Sequence, residues 1–171
     1  EEIFVDFQLE VITDYDNDPD TPPHQNLLLV MSDITSRKNL ENELHRLAYV
    51  DLLTDLPNRR MFMECIENLI VENEESQGSF ALIFMDLKDF KNINDSLGHN
   101  AGDLLLLEIS HRLRSSLQDN ATLSRHSGDD FVALLPQTCQ DDAAKLCTRL
   151  LDALAQPLQV AGQEIFVTAS I

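Results

Sequence analysis

Apolar and polar positions alternate along EEIFVDFQLEVI and again along NLLLVMSDI, and the segment between them, TDYDNDPDTPPHQ, is acidic and carries three prolines. The pair reads as a hairpin with a long loop. In TSRKNLENELHRLAYVD the period changes, with Leu40, Leu44 and Leu47 four and three residues apart on one face of a short amphipathic helix. That seam could pair with a second copy of itself, and Asp33, Thr35 and Ser36 are candidates to cap the helix start. From Asp51 the texture alters: DLLTDLPNRR reads as a loop, and RRMFMECIENLIVEN as a helix with Met61/Phe62, Cys65/Ile66 and Leu69/Ile70 inward. FALIFMD then reads as a buried strand ending at Asp86, and KDFKNINDSLGHNAGD as a polar, irregular or short-helical stretch. GDLLLLEISHRLRSSL is a second long helix, ATLSRH and FVALL form a hairpin closed by SGDD, and DDAAKLCTRLLDALAQ is a third helix. PLQV and EIFVTASI read as another hairpin, closed by AGQ. Helices alternating with hairpins predict an α+β fold, a mainly antiparallel central sheet flanked by helices. The sequence stops inside an apolar strand, so the domain is expected to run on past Ile171.

Composition narrows the function classes. A length of 171 residues with 43% hydrophobic positions suits one cored domain, or one domain plus a piece of another. A formal net charge of −18 repels nucleic acid and anionic membranes, so neither is an expected partner. A phosphorylated ligand remains compatible if metal cations stand between. Three cysteines, Cys65, Cys139 and Cys147, are few and odd in number, as for reduced thiols in the cytoplasm, and Cys147 falls on an apolar helical stripe. No run approaches a membrane span and no signal peptide opens the chain, so the segment is expected to be soluble and cytoplasmic.

Three places carry candidate chemistry. Asp14, Asp16 and Asp18 have the spacing that opens a calcium loop, but Pro19 stands where glycine is wanted and Gln25 where glutamate is wanted, which favours a solvated loop. Asp86 ends a strand and Asp129 lies in the RHSGDDF turn; if those strands are neighbours, two carboxylates meet at one sheet edge with positions open for Mg²⁺ and phosphate oxygens. The plain alternative is that Asp86 caps the next segment and Asp129 makes the turn. His99 and His126 have no partners at ligand spacing and read as structural or incidental.

DLLTDLPNRR resembles the Asp-x-Leu-Thr-Gly-Leu-Pro-Asn-Arg-Arg opening of GGDEF domains, the diguanylate cyclase family. Asp86 with FKNINDSLGHNAGD, residues 90–103, is similar to that family's Asp-x-Asp-x-Phe-Lys-x-Ile-Asn-Asp-x-x-Gly-His-x-x-Gly-Asp segment, and RHSGDDF stands in the place of Arg-x-Gly-Gly-Asp-Glu-Phe. The resemblance implies a cyclase-like or polymerase-palm-like fold over residues 51–171. Residues 1–35 resemble the end of a PAS sensor domain, and residues 36–50 its signalling helix. It further implies two Mg²⁺ or Mn²⁺ ions, GTP as substrate and condensation of two GTP to cyclic di-GMP across a homodimer. Asp86, the Leu87 backbone carbonyl and Asp129 match metal ligands. Asn94 and Asp103 match the readers of the guanine edge, the backbone at Phe90 and Lys91 matches a phosphate cradle, and Asp130 matches the base or orienter of the 3′-hydroxyl.

The departures from the family pattern bear on activity. Ser127 replaces the first glycine of the signature, Asp130 replaces glutamate with an arm one methylene shorter, and Asp55 replaces glycine in the opening motif. Lys88 stands at the second acid of the strand end, where it either competes with metal or sits against phosphate. Gln118 and Ala121 occupy the Arg and Asp positions of the family's product-inhibition site, so none is expected. The family's basic C-terminal segment lies beyond Ile171, so this chain by itself is not expected to turn over. Three readings result: a PAS-regulated cyclase, a GTP-binding regulatory module for a downstream EAL phosphodiesterase domain, and a structural dimeriser.

Overall fold

The computed structural model describes residues 3–14, 24–76, 78–160 and 162–171. The chain divides into two units, Glu1–Arg46 and Leu47–Ile171. In the first, β1 (Val5–Asp14) and β2 (His24–Asp33) pair antiparallel, Val5 opposite Asp33 and Asp14 opposite His24. Asp16, Asp18 and Pro19, on which the calcium reading rests, lie outside the described residues. Helix α1 (Thr35–Tyr49) follows directly. Asp33 Oδ1 accepts the Thr35 N–H at 2.9 Å, and Thr35 Oγ1 accepts the Phe4 N–H at 3.0 Å, which ties the helix start to the strand pair. Leu40, Leu44 and Leu47 are all at least half exposed along α1.

In the second unit Asn58 caps α2 (Arg59–Ser76), its Oδ1 accepting the N–H groups of Arg60 and Met61 at 2.9 and 3.1 Å. Then come β3 (Phe80–Lys88), α3 (Phe90–Leu97), α4 (His99–Ser116), β4 (Thr122–Ser127), β5 (Asp130–Pro136) and α5 (Gln140–Ala155). Short strands β6 (Leu158–Val160), β7 (Gln163–Ile165) and β8 (Thr168–Ser170) complete it. The central sheet has the order β4-β5-β3-β8, and each of its pairings is antiparallel. This is the α+β fold that the alternation predicts.

Burial explains the sheet's two faces. Ile83, Met85 and Leu87 of β3, with Phe131, Ala133 and Leu135 of β5, pack on the apolar stripes of α4 and α5, among them Leu105, Ile109, Leu113, Leu150 and Leu154. On the other face Phe62 of α2 covers Val132 and Leu134. The unbroken apolar run FVALL is therefore buried on both sides, as a central strand's run should be. β3 is different. Its outward residues Leu82 and Phe84 are exposed, Phe84 by 62%, so FALIFMD is a one-sided strand and not a wholly buried one.

KDFKNINDSLGHNAGD takes the short-helical of its two expected forms, as α3 and the first turn of α4 around Gly98. One further local expectation changes. EIFVTASI is not one strand: Gln163–Ile165 pairs with β6, whereas Thr168–Ser170 crosses to the central sheet and pairs with β3. The alternation of the segment is compatible with both partners, and Val167, buried at the break, anchors the crossing in the core.

Candidate functional site

Strand pairing brings the acidic residues to one rim of the sheet. Asp86 lies directly opposite Asp130 in the β3–β5 register, and opposite Ser170 in the β3–β8 register. Residues opposite one another in an antiparallel pair project to the same face. Between β4 and β5 the register slips by one at Arg125/Ser127, a bulge at His126 that turns Ser127 onto the face of Asp130. Ser127 Oγ then donates to Asp130 Oδ2 at 3.0 Å. The hairpin loop itself is Gly128-Asp129, with Gly128 at φ 45°, a sign of φ that a side chain disfavours. Ser127 is not among the described residues with positive φ, so the residue replacing the family's first glycine sits there without backbone strain.

Arg59, Phe84, Asp86, His126, Ser127 and Asp130 line a cleft of about 480 Å³ on this face. Asp129 is half buried in the turn and is not among the residues lining the cleft. Among the described residues no three His, Cys, Asp or Glu side chains converge as a metal-binding group. The two carboxylates paired in register at this rim suit a hard cation that takes its remaining ligands from water or phosphate.

The turn is braced from behind by residues that sequence reasoning did not single out. Arg125 Nε donates to the Gly128 carbonyl at 2.9 Å, and its Nη1 donates to Asp51 Oδ1 at 2.9 Å. The same Asp51 oxygen accepts the Thr54 N–H at 2.9 Å and the Thr54 hydroxyl at 2.6 Å. The opening DLLT is thereby locked to the signature hairpin. Burial pushes the Asp51 carboxyl up, but the hydrogen bonds from Thr54 and Arg125 outweigh it and hold the group below the usual carboxylate range. His126 packs edge-on against Phe62, with ring centroids 5.1 Å apart, and its Nε2 is buried without a hydrogen-bond partner. Burial and the Arg59 charge push this imidazole down, against an opposing pull from Asp130. The sequence signal for Arg125 was its place opening RHSGDDF; nothing in the sequence marked Arg59 or His126 as neighbours.

Just past the same end of β3 that carries Asp86, Asp89 takes a left-handed φ of 61° and α3 starts behind it. The first N–H groups of α3, at Phe90 and Lys91, lack intrahelical acceptors and so are available to an anion. Asn94 is half buried against α4, where a Cβ on Gly102 would land on its side-chain amide, next to the exposed Asp103. The structure thus brings Asn94 to the turn that carries Asp103. Lys88 is exposed and lines a groove with Asn92 and Thr168, not the Asp86–Asp130 cleft. Leu87 is buried in the core, which leaves only its backbone for any ligand. Gln118 and Ala121 border a separate cleft of about 380 Å³ with Arg114 and Asp119.

Residues 48–171 match the family described as diguanylate cyclase, GGDEF domain. The chain belongs to the GGDEF domain family. MucR of Pseudomonas aeruginosa, a bifunctional diguanylate cyclase/cyclic di-GMP phosphodiesterase, is 39% identical over 137 residues, covering 80% of this chain and 20% of MucR. NbdA of the same organism, a cyclic di-GMP phosphodiesterase, is 40% identical over 129 residues, covering 75% of this chain and 16% of NbdA. This GGDEF chain thus spans a fifth or less of the length of these curated relatives. A solved sensory box/GGDEF family protein from Caulobacter crescentus superposes with a TM-score of 0.67 at 37% identity, over 71% of this chain and 80% of that one. Among the described residues no helix of the GGDEF chain is long and apolar enough to cross a membrane.

Proposed function

We propose that this GGDEF domain binds GTP with divalent metal and, in its full-length homodimer, condenses two GTP to cyclic di-GMP in the cytoplasm. The observation that carries the reading is the register pairing of Asp86 with Asp130 at an open sheet rim. Asp86, the Leu87 carbonyl and Asp129 would hold the two Mg²⁺ or Mn²⁺ ions. When bound, these ions neutralise the triphosphate charge that a chain of net charge −18 would otherwise repel. Asn94 and Asp103 suit the guanine edge, because a carboxylate accepts from N1–H and the 2-amino group while an amide both donates and accepts. The α3 N–H groups at Phe90 and Lys91 would receive the terminal phosphates. Asp130 would orient the 3′-hydroxyl and take its proton. Each 3′-oxygen forms a bond to the α-phosphorus of the partner's nucleotide, and the bond to the departing pyrophosphate breaks.

The second reading is a GTP-binding regulatory module that governs a downstream EAL phosphodiesterase domain. Asp130 favours it, since the shorter side chain is also engaged by Ser127, and a displacement of about 1 Å in a positioning group costs on the order of a hundredfold in rate. Under either reading residues 1–35 are the end of a PAS sensor, residues 36–50 its output helix and residues 51–171 the GGDEF domain. Calorimetric titration of the full-length protein with GTP and Mg²⁺, with chromatography of the same samples, separates the possibilities. Binding with cyclic di-GMP formed supports the cyclase, and binding without product supports the regulatory module. Absence of binding defeats both.

A further inference from the structure

Ser127 has three properties that belong together. Its backbone is not among the described positive-φ positions, so the glycine that the family places here is not required by this turn's conformation. The bulge at His126 turns it onto the face of Asp130, with which it pairs in register. Its side chain is exposed, and the hydrogen bond to Asp130 Oδ2, at 3.0 Å, is the contact it makes in the turn. The serine therefore does nothing for the core. It acts on one carboxylate oxygen.

We propose that Ser127 is a positioning residue that restrains the Asp130 carboxylate against β4 and so sets the turnover of this domain below its binding capacity. The inference rests on the reading that this rim binds GTP. Asp130 already falls one methylene short of the glutamate of the family signature. A hydroxyl donor on β4 engages its Oδ2 from the neighbouring strand opposite to the one that carries Asp86. Ionised carboxylates form the stronger class of hydrogen bond, so the restraint persists in the state that must accept a proton. Nucleotide affinity depends on other groups and is left intact. Only the orientation of the 3′-hydroxyl suffers, which is a loss in kcat and not in binding.

The test uses the full-length protein and the variants S127A, S127G and S127T. Three quantities are read from each: the Kd for GTP with Mg²⁺, kcat for cyclic di-GMP, and Tm. Removing the hydroxyl in S127A and S127G is expected to raise kcat by about three- to tenfold, the scale of one such hydrogen bond, with Kd within about twofold and Tm unchanged within about a degree. S127T restores the hydroxyl and brings the rate back down, although it is the bulkier residue; a packing role predicts the reverse order. Equal rates in all forms, including none in any, overturn the inference and leave the nucleotide site standing. A fall in kcat on losing the hydroxyl also overturns it. If no form binds GTP, the nucleotide reading itself fails and the inference falls with it.

Discussion

Asp51 and Arg125 are separated by 74 residues in the chain and meet at 2.9 Å, with side chains only 24% and 11% exposed. Through this pair the start of the GGDEF domain grips the turn that carries its signature, because the same guanidinium also holds the Gly128 carbonyl. Removing either partner leaves the other half-buried with its remaining bonds only, Asp51 to Thr54 and Arg125 to the Gly128 carbonyl, so R125A and D51A are each expected to cost about 1–2 kcal/mol in urea unfolding. R125K is expected to recover less than half of that, since an ammonium cannot make the forked contact.

The pH dependence of the same pair has a definite sign. The folded Asp51 carboxyl titrates below its unfolded value of about 3.9, so the contribution of the bridge is complete above about pH 4 and is lost as pH falls through the folded value. Thermal melts should show wild type losing Tm steeply below about pH 4, whereas D51N starts lower at neutral pH and declines less there. Parallel curves would show that the bridge does not carry this acid sensitivity.

His126 works in a higher window. Its imidazole is pushed down from an unfolded value of about 6.5, so the neutral ring's contribution is whole above that pH and is lost as pH drops through the folded value. H126F keeps the edge-on contact with Phe62 and removes the buried Nε2 that has no partner. It should gain about 1 kcal/mol at neutral pH and lose the decline in Tm just below about pH 6.5. A variant less stable at neutral pH would show that the nitrogen is satisfied in solution.

Gly102 sets the spacing of the guanine-edge candidates. A methyl at this position would fall on the Asn94 amide, so G102A must displace Asn94 or part α3 from α4. The expected result is a stability loss of about 1–3 kcal/mol and a GTP affinity at least about tenfold weaker, read by calorimetry. Unchanged affinity would remove Asn94 from the nucleotide site.

Arg112 and Arg149 cap each other's helices. Arg112 on α4 donates to the carbonyls of Ala153, Gln156 and Pro157 at 3.0, 2.6 and 3.2 Å, and Arg149 on α5 donates to the Ser116 carbonyl at 2.6 Å. All but the Pro157 carbonyl are orphan carbonyls of the two helix ends. R112A is expected to cost about 2 kcal/mol, and the double variant R112A/R149A to cost more than either single change, as urea midpoints would report.

Much of this domain was legible in the sequence. The 3.6-residue stripes of α2, α4 and α5 and the continuous run in β5 each follow from the local order of apolar residues, whereas FALIFMD is just as apolar and its one-sided burial does not. Motif spacing gave the family resemblance in the same way, because turn residues and strand-end acids are fixed by their immediate neighbours. EIFVTASI reads as one strand and divides into two, because alternation says that a segment is extended and not with which strand it pairs.

What the tertiary structure alone decided is the register. A strand has a period of two, so a slip of one residue would send Asp86 and Asp130 to opposite faces. It is the core packing of Met85 and Phe131 that holds these carboxylates opposite one another. The bulge at His126, the bond from Ser127 to Asp130 and the reach of Arg125 to Asp51 depend on backbones brought together from distant parts of the chain. The sequence determined which carboxylates this GGDEF domain has. Pairing between its strands determined which of them share a face, because cross-strand contact is a property of two segments and is written in neither one alone.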